Sequence, residues 1–392
     1  MTDRTIQIAS AGEASEDGWA RIDWRVVGLD SGEFRLSHAV PEPDRDLFGD
    51  LQRADHAVCA VLLKAMEHGR DIVVEGTVSP KLLDGLEHLQ AIWHRWRPHR
   101  YQRIRIRADQ ESEATPVTGE RPAIFAFSGG VDASFSLFRH LQGQAGRNNR
   151  TPGGALLVHG MDIPLGREDF YCGAVARADR ILDGTGIRLI RMRTNSRQLG
   201  QDWEDSFGLQ LTSCFLLFQH VFSAAISGSG EPYDTLVLPW GSTPLTDHLA
   251  STKVMKREHD GCAYDRTEKV EWLIRHTDIV DDLRVCWAGP SLDRNCGECE
   301  KCVRTMLNFW AIGHQVPAAF PTQLTPKLVS TVRPRNEAQL RELTSLFRHS
   351  EKHCAGRDPI TRSLRAVLRR ARLSVFVRQV LRALVGRRTR DL

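Results

Sequence analysis

Long apolar runs are missing from this 392-residue chain. No stretch approaches the roughly 18 residues that a membrane-spanning helix needs, so we expect no transmembrane segment. The chain also lacks a large excess of either sign of charge, since 53 Lys and Arg against 49 Asp and Glu leave a formal net charge of +4. That excess is too small to indicate a nucleic-acid partner by itself. The first residues, MTDRTIQIAS, lack a signal-peptide pattern, so the expected location is the cytoplasm.

Two common phosphate-binding signatures are absent as well. The chain has neither GxxxxGK[ST], the mark of a Walker nucleotide loop, nor a GxGxxG dinucleotide fingerprint. Internal repeats and low-complexity tracts are also missing. Any nucleotide site in this chain must therefore use another kind of loop.

The composition is that of an ordinary globular protein, with 41% hydrophobic and 26% charged residues. The chain is long enough for two or three domains. Residues 1–118 mix strand and helix patterns and predict an α+β accessory domain, which ends at the polar linker DQESEATPVTGERP. Residues 119–325 predict the main domain, and residues 326–392 a basic helical region. Substrate gating, partner docking and homodimer formation all fit residues 1–118.

Strands and helices alternate in the main domain. AIFAFS, GALLVHGMD, IRLIRMRTN and YDTLVLPWG are predicted strands, and GLQLTSCFLLFQHVFSAAISG is a predicted long apolar helix. Continuous apolar strands that alternate with helices indicate a parallel α/β sheet covered on both faces. Ligands of such sheets bind at the carboxyl ends of the strands.

The stretch FAFSGGVDASFSL holds the first candidate site. Gly129 and Gly130 lie between the first strand and its helix, where glycine permits a tight turn and close approach of a ligand. The backbone N–H groups from Gly129 to Val131 and the helix dipole then favour a phosphate. Ser128 adds a hydroxyl donor, and Asp132 is a candidate helix cap or magnesium ligand.

Four of the nine cysteines form a second motif. Cys286, Cys296, Cys299 and Cys302 have the spacing C-x9-C-x2-C-x2-C. Four thiolates complete the tetrahedral shell of a structural zinc ion. An iron–sulfur cluster is the alternative metal centre, and a disulfide or redox pair is the alternative without a metal. A reducing compartment favours metal over disulfides.

The two motifs together resemble a known family. SGGVDAS resembles the pyrophosphatase loop, SGGxDS, of the N-type ATP pyrophosphatases. A chain in which this loop comes first and a four-cysteine knuckle follows resembles the 7-cyano-7-deazaguanine synthases. The resemblance covers roughly residues 121–313 and implies an adenine-nucleotide alpha-hydrolase-like fold with ATP, Mg²⁺ and Zn²⁺ as cofactors. Ala133 stands where the family has Ser or Thr, and the next hydroxyl, of Ser134, is the candidate substitute. Larger relatives occur in bacterial anti-phage defence operons, which widens the range of substrates.

Five further residues are candidates because of their place in this pattern. Lys253 and Asp260 lie in a polar stretch that follows the predicted strand YDTLVLPWG. Lys253 is a candidate to hold the α-phosphate or the leaving pyrophosphate. Asp260 is a candidate to bind magnesium or a substrate amine. Asp247 is an alternative to Asp260. His159 and Met161 end the second strand, at the edge where the resemblance implies adenine binding through backbone groups.

The resemblance implies cleavage of ATP to AMP and pyrophosphate, with AMP used to activate an oxygen. Our first hypothesis is adenylation of a carboxylate, followed by attack of nitrogen, on a 7-deazaguanine-like molecule or a protein. The second is a tRNA-modifying enzyme that adenylates a base carbonyl; a thiolating version requires a catalytic cysteine such as Cys172 or Cys262. The third is a nucleotide-binding regulatory module without turnover.

The basic tail, RSLRAVLRRARLSVFVRQVLRALVGRRTR, leaves three readings open. It can be a terminal helix that packs on the domain with its arginines in water. It can bind nucleic acid or an acidic protein. It can also lie on anionic lipid as an amphipathic helix.

Overall fold

The structure is a computed structural model. It describes residues 5–115, 118–286, 289–334, 337–353 and 358–388, without the side chains of residues 337, 338 and 374–388. The predicted basic tail therefore lies outside the described side chains beyond residue 373. None of the helices in the described part of the chain combines the length and hydropathy that crossing a bilayer requires.

The described residues form ten strands and ten α-helices. The strands are β1 (Thr5–Glu16), β2 (Trp19–Leu29), β3 (Gly32–Pro41), β4 (Asp71–Val78), β5 (Ile106–Glu111), β6 (Ala123–Ala126), β7 (Pro152–His159), β8 (Arg188–Thr194), β9 (Ala224–Gly228) and β10 (Lys256–Asp260). The helices are α1 (Asp55–His68), α2 (Pro80–Trp96), α3 (Val131–Leu141), α4 (Glu168–Leu182), α5 (Trp203–Leu216), α6 (Arg266–His276), α7 (Glu300–Ala311), α8 (Pro326–Ser330), α9 (Glu337–His353) and α10 (Pro359–Arg388).

All ten strands belong to one sheet, in the order β10-β9-β6-β7-β8-β3-β2-β1-β4-β5. The five strands from β10 to β8 are parallel to one another. Strands β8, β3, β2 and β1 pair antiparallel, and β1, β4 and β5 are again parallel. The predicted α/β class, with a mostly parallel sheet flanked by helices, is confirmed.

Helices cover both faces of the parallel strands. Ile124 of β6 joins a core that includes buried residues of α1, α2 and α5. On the other face the ring of Phe125 meets His140 of α3 at 5.2 Å between ring centres. Tyr171 of α4 donates a hydrogen bond to the Leu157 carbonyl. Successive residues of β6 therefore face different helices, as the period of two in a strand requires.

The fourth strand of the parallel part lies where the sequence predicted a helix. Helix α5 ends at Leu216, and the last residues of the predicted helix form β9. The predicted strand YDTLVLPWG holds only a short 3₁₀ turn at Tyr233–Thr235. A short apolar run without polar alternation is compatible with a buried strand as well as a buried helix, so the pattern did not separate the two.

The chain groups into two compact units. One comprises Met1–Ser229 and Leu238–Cys262, and the other Gly230–Val237 and Ala263–Leu392. Strands from residues 1–118 and from the main domain share the first unit, since β3 pairs with β8 through His38 and Thr194. The predicted boundaries at 118 and 325 therefore do not coincide with the division between the compact units.

The second unit is built around α6, α7 and α9. A capping box joins Asp265 and Glu268 at the start of α6. The Asp265 carboxylate also accepts hydrogen bonds from Ser345 and His349 of α9. These contacts fix α6 and α9 within this unit.

Candidate functional site

The order in which the chain adds parallel strands to the sheet reverses between β6 and β9, which makes this pair a topological switch point. In chain order the five strands are arranged 3-2-1-4-5, so β7 and β8 lie on one side of β6 and β9 and β10 on the other. The loops after β6 and β9 diverge at their carboxyl ends, which leaves the crevice where doubly wound sheets bind ligands. The predicted glycine turn, Ser128–Asp132, follows β6 at this place.

The turn has the geometry of a strand-to-helix anion site. Gly129 has a φ of 73°, a value that side chains disfavour, and Gly130 is the N-cap residue of α3. At the start of α3 an i→i−4 bond runs from the Ser134 N–H to the Gly130 carbonyl, at 3.0 Å. The N–H groups of the first turn of a helix precede this bond and are the ones that a helix offers to a capping group or a ligand. The N–H groups at this helix start and the positive end of the helix dipole favour a phosphate here.

Ser134 is less accessible than its predicted role requires. Its side chain is fully buried, and its Oγ has no hydrogen-bond partner among the described residues. Ala133 is partly exposed in the first turn of α3. Direct contact of Ser134 with a phosphate stays a prediction, whereas Ser128 and Asp132 are partly exposed at the turn.

Gly228 lets the end of β9 approach the turn closely. A Cβ atom at Gly228 would lie 2.3 Å from the Asp132 carbonyl oxygen and 3.1 Å from the Ala133 nitrogen. Real Cβ atoms do not come this close to backbone, so only glycine fits. The sequence reading did not single out Gly228, because a glycine in an apolar run gives no signal about which backbone approaches it.

His159 and Met161 lie at the end of β7, on the same edge. The His159 ring is buried and stacks on Tyr171 at 4.4 Å, and its Nε2 is 2.8 Å from the Pro164 carbonyl. Burial lowers the pKa of His159 and outweighs the opposing contacts with Pro164 and Glu168. The Met161 carbonyl accepts a hydrogen bond from Arg197. These contacts hold the β7–α4 loop in place, and the adenine role of both residues stays a prediction.

Asp260 ends β10 but is engaged with α3. Its carboxylate accepts hydrogen bonds from Ser136 and Arg139, and His140 Nε2 lies 3.5 Å away. His140 Nδ1 accepts the Arg150 N–H, so in the neutral ring the proton is on Nε2, the nitrogen that lies 3.5 Å from the Asp260 carboxylate. Burial would raise the pKa of Asp260, but the bonds from His140 and Ser136 and the Arg139 charge lower it. The carboxylate is thus a link between strand and helix.

Lys253 is not brought to the turn. It is exposed just before β10, whose first residue, Lys256, pairs with Ala224 at the start of β9. The neighbouring Val254 carbonyl accepts a hydrogen bond from Arg121, which precedes β6. Lys253 therefore lies at the amino ends of the parallel strands, the edge opposite Ser128. The prediction for Lys253 assumed that YDTLVLPWG is the fourth strand and that Lys253 follows its carboxyl end, whereas the fourth strand is β9.

A buried polar network joins β9, β10 and the segment between them. Asp247 Oδ2 lies 2.9 Å from His259 Nδ1 and 3.2 Å from the Arg257 guanidinium, and it accepts a 2.6 Å bond from Ser242. Arg257 also donates to Ser227 at 2.8 Å. The sequence reading missed Arg257 and His259, because KREHD, Lys256–Asp260, contains no apolar residue and therefore gives no alternating strand signal.

The charges of this network are mutually dependent. Burial would raise the pKa of Asp247, but the Arg257 charge and the bonds from His259 and Ser242 lower it to about 2. Burial would lower the pKa of His259, but its hydrogen bonds with Asp247 and Cys262 raise it to about 9. The network therefore holds a carboxylate between two cations at neutral pH.

The four cysteines converge on one point. Their ligand atoms lie within 4.8 Å of one another. The Sγ–Sγ distances are 3.5 Å from Cys286 to Cys296, 3.6 Å from Cys286 to Cys299 and 3.9 Å from Cys296 to Cys302. Zn–S bonds of about 2.3 Å in a tetrahedron imply about 3.8 Å between sulfurs. The cluster could bind a metal ion such as zinc.

The backbone supports this coordination. The N–H of Cys299 donates to Cys296 Sγ at 3.2 Å, and that of Cys302 to Cys299 Sγ at 3.5 Å. Gly297 turns the chain with a φ of 75°. Gly289 allows close packing, since a Cβ there would lie 3.1 Å from Cys286 Sγ. N–H donors to sulfur stabilise thiolate charge, which is the form that binds a metal.

We expect the purified protein to hold one zinc ion per chain. Changing Cys299 to serine removes one of four ligands and should lower the metal content to well below half of that value after dialysis. Cys172 to serine is the matched control, because Cys172 is exposed on α4 and outside the cluster. Elemental analysis that finds iron and sulfide in place of zinc, or equal zinc in the Cys299 variant, would contradict the assignment.

Comparisons of the chain with protein-family models, with curated proteins and with solved structures find no match.

Proposed function

We propose that the chain is an ATP-dependent adenylating enzyme with an adenine-nucleotide alpha-hydrolase-like fold. It cleaves ATP to AMP and pyrophosphate and uses the AMP to activate a carboxylate for attack by nitrogen. The observation that carries the proposal is the glycine turn, Ser128–Asp132, in the crevice between β6 and β9. The resemblance of SGGVDAS to the pyrophosphatase loop supports the same reaction.

The turn supplies the contacts that this reaction needs. The N–H groups of Gly129, Gly130 and Val131 are candidates to hold the β- and γ-phosphates, and Ser128 adds a hydroxyl donor. Stabilisation of the charge that develops on pyrophosphate lowers the barrier to its departure. Magnesium, when bound, would neutralise part of that charge, and Asp132 is its candidate ligand.

Adenylation solves a chemical problem of carboxylates. Oxide is a poor leaving group, whereas the acyl adenylate has AMP as its leaving group. A nitrogen nucleophile then attacks the acyl carbon, the C–N bond forms, and AMP departs with the electron pair of the broken C–O bond. The substrates that fit are a 7-deazaguanine-type carboxylate with ammonia, or an acceptor amine of a small molecule or a protein. The zinc centre has four thiolate ligands and no open position, which supports a structural role.

The first test is release of AMP and pyrophosphate from ATP and Mg²⁺, with and without 7-carboxy-7-deazaguanine and ammonia. We expect AMP in the presence of the acid and at least about a tenfold lower rate for Asp132→Asn, because a weaker magnesium contact stabilises less charge. Asp109→Asn is the control, since Asp109 is exposed on β5. AMP release at the same rate with and without the acid would contradict a 7-deazaguanine substrate and favour RNA or a protein as the acceptor. ATP binding without any turnover would favour a regulatory module.

The position of one cysteine favours a second candidate, an RNA-modifying enzyme that adenylates a base carbonyl for attack by sulfur. Cys262 follows β10 at the same sheet edge as the glycine turn after β6, whereas Cys172 is exposed on α4. Sulfur incorporation into RNA that is lost in Cys262→Ser and kept in Cys172→Ser would support this candidate over nitrogen transfer.

A further inference from the structure

Helix α10 carries the surplus of positive charge in the whole chain. Residues 359–388 contain nine arginines and neither lysine nor an acidic residue. The whole chain has a formal charge of +4. The rest of the chain therefore has a formal charge of −5, the difference between +4 and the +9 of this helix. A charge concentrated on one element points to a partner of opposite sign.

The apolar face of α10 is already used by packing within its unit. The helix packs against α8 and α9. The buried positions of its described part recur at helical spacing: Thr361, Leu364, Val367, Leu368 and Ala371. A helix that lies on a membrane inserts its apolar face into lipid. Because this face is buried against protein, the described part of α10 has only its other face to offer.

The outward face is a row of arginines beside an open groove. Arg362, Arg369, Arg370 and Arg372 are exposed. The groove has a volume of about 550 Å³ and is lined by Arg362, Arg365, Ala366, Arg369, Arg370 and Leu373. Among the described residues none of these arginines forms an ion pair with a carboxylate. Arg370 donates instead to the Ser330 and Val332 carbonyls.

We propose that this arginine face binds the phosphodiester backbone of nucleic acid. The guanidinium fork matches phosphate oxygens in a bidentate manner. From Arg362 to Arg372 the helix rises about 15 Å, which reaches roughly four successive phosphates at about 3.4 Å of rise per nucleotide. Protein-interface hot spots combine arginine with aromatic anchors such as Trp and Tyr in well-packed, desolvated pockets. This groove offers only Ala366 and Leu373, so a polyphosphate fits it better than an acidic protein.

Binding is tested with the full chain and a fluorescein-labelled 20-nucleotide single-stranded RNA, by anisotropy at several KCl concentrations. The variant Arg362→Gln/Arg369→Gln/Arg372→Gln removes three exposed guanidinium groups without touching a packed residue. We expect at least about a tenfold loss of affinity at 100 mM KCl. The slope of log K against log salt should fall by about 2, since each phosphate contact to a single strand contributes about 0.7.

The matched control is Arg25→Gln/Arg103→Gln/Arg147→Gln, which removes the same charge from exposed positions of the first unit. Equal losses in both triple variants would overturn the proposal, because net charge alone would then explain binding. Binding to vesicles with anionic lipid that depends on the α10 arginines, without RNA binding, would overturn it in favour of a lipid surface. The corresponding triple lysine variant should retain most of the salt slope. This inference does not depend on the chemistry proposed for the glycine turn.

Discussion

Replacing Gly228 by alanine is expected to lower the rate of pyrophosphate release at least about a hundredfold. The new Cβ would lie 2.3 Å from the Asp132 carbonyl oxygen, so β9 and the start of α3 must separate by about 1 Å. A displacement of that size at a site that positions reactants costs about 10²-fold in rate. Backbone lies on both sides of the clash, so no side-chain rotation relieves it.

The measurement compares ATP turnover, ATP affinity and thermal unfolding in Gly228→Ala and Gly166→Ala. Gly166 precedes α4 in the same unit, and a Cβ there has no heavy atom within 4 Å. We expect wild-type behaviour for Gly166→Ala and weaker ATP binding for Gly228→Ala. A Gly228→Ala protein with the rate and affinity of the wild type would contradict the position of the site at the β6–β9 crevice.

The parts of the site that could be predicted from the sequence are those determined by neighbouring residues. The glycine turn needs only a strand, two glycines and a helix, and the structure has all of them within residues 123–141. The cysteine knuckle is similar, because two CxxC steps and Gly297 lie within a few residues. Local backbone conformation and short spacing are enough to define both.

The parts that could not be predicted depend on pairing between distant residues. The sequence of β9 belongs to an apolar run that is equally compatible with a helix. Pairing with β6 and β10, which lie on either side of it in the sheet, is what makes it a strand. The pairing of His38 with Thr194 joins strands 156 residues apart in sequence, which no local pattern reports. Once the fourth strand was misplaced, Lys253 was predicted at the wrong edge. In β10, which pairs with β9, Asp260 contacts α3, and the neighbouring His259 contacts Asp247.

Asp247→Ala is expected to lower the free energy of unfolding by about 3–5 kcal/mol. The change leaves the Arg257 guanidinium, 2% exposed as a residue, without the carboxylate 3.2 Å away. Unfolding in guanidinium chloride measures the effect. Asp109→Ala is the control, and we expect a change within about 0.5 kcal/mol because Asp109 is exposed on β5. Equal stability of both variants would show that the buried pair does not stabilise the fold.

The same network predicts a pH dependence of stability with two limbs. The folded pKa of Asp247 is about 2, below its ordinary value, so its contribution is complete above about pH 4 and is lost as pH falls toward 2. The folded pKa of His259 is about 9, above its ordinary value, so its contribution is complete below about pH 6.5 and is lost as pH rises through 9. His259→Gln should flatten the alkaline limb and also shrink the acid limb, because the bond from His259 helps to lower the pKa of Asp247. An unchanged alkaline limb would place the titrating group elsewhere.

A double-mutant cycle separates the ion pair from the packing around it. Arg257→Met keeps much of the side-chain volume and removes the charge, while His259 remains beside the Asp247 carboxylate as its second cation. Asp247→Asn in the same chain then removes an anion that no longer faces a guanidinium. We expect the double variant to be more stable than the sum of the single changes by about 1–3 kcal/mol, since the two groups share one interaction. Additive changes would mean that Asp247 acts through Ser242 and His259, and that Arg257 is held by its bond to Ser227.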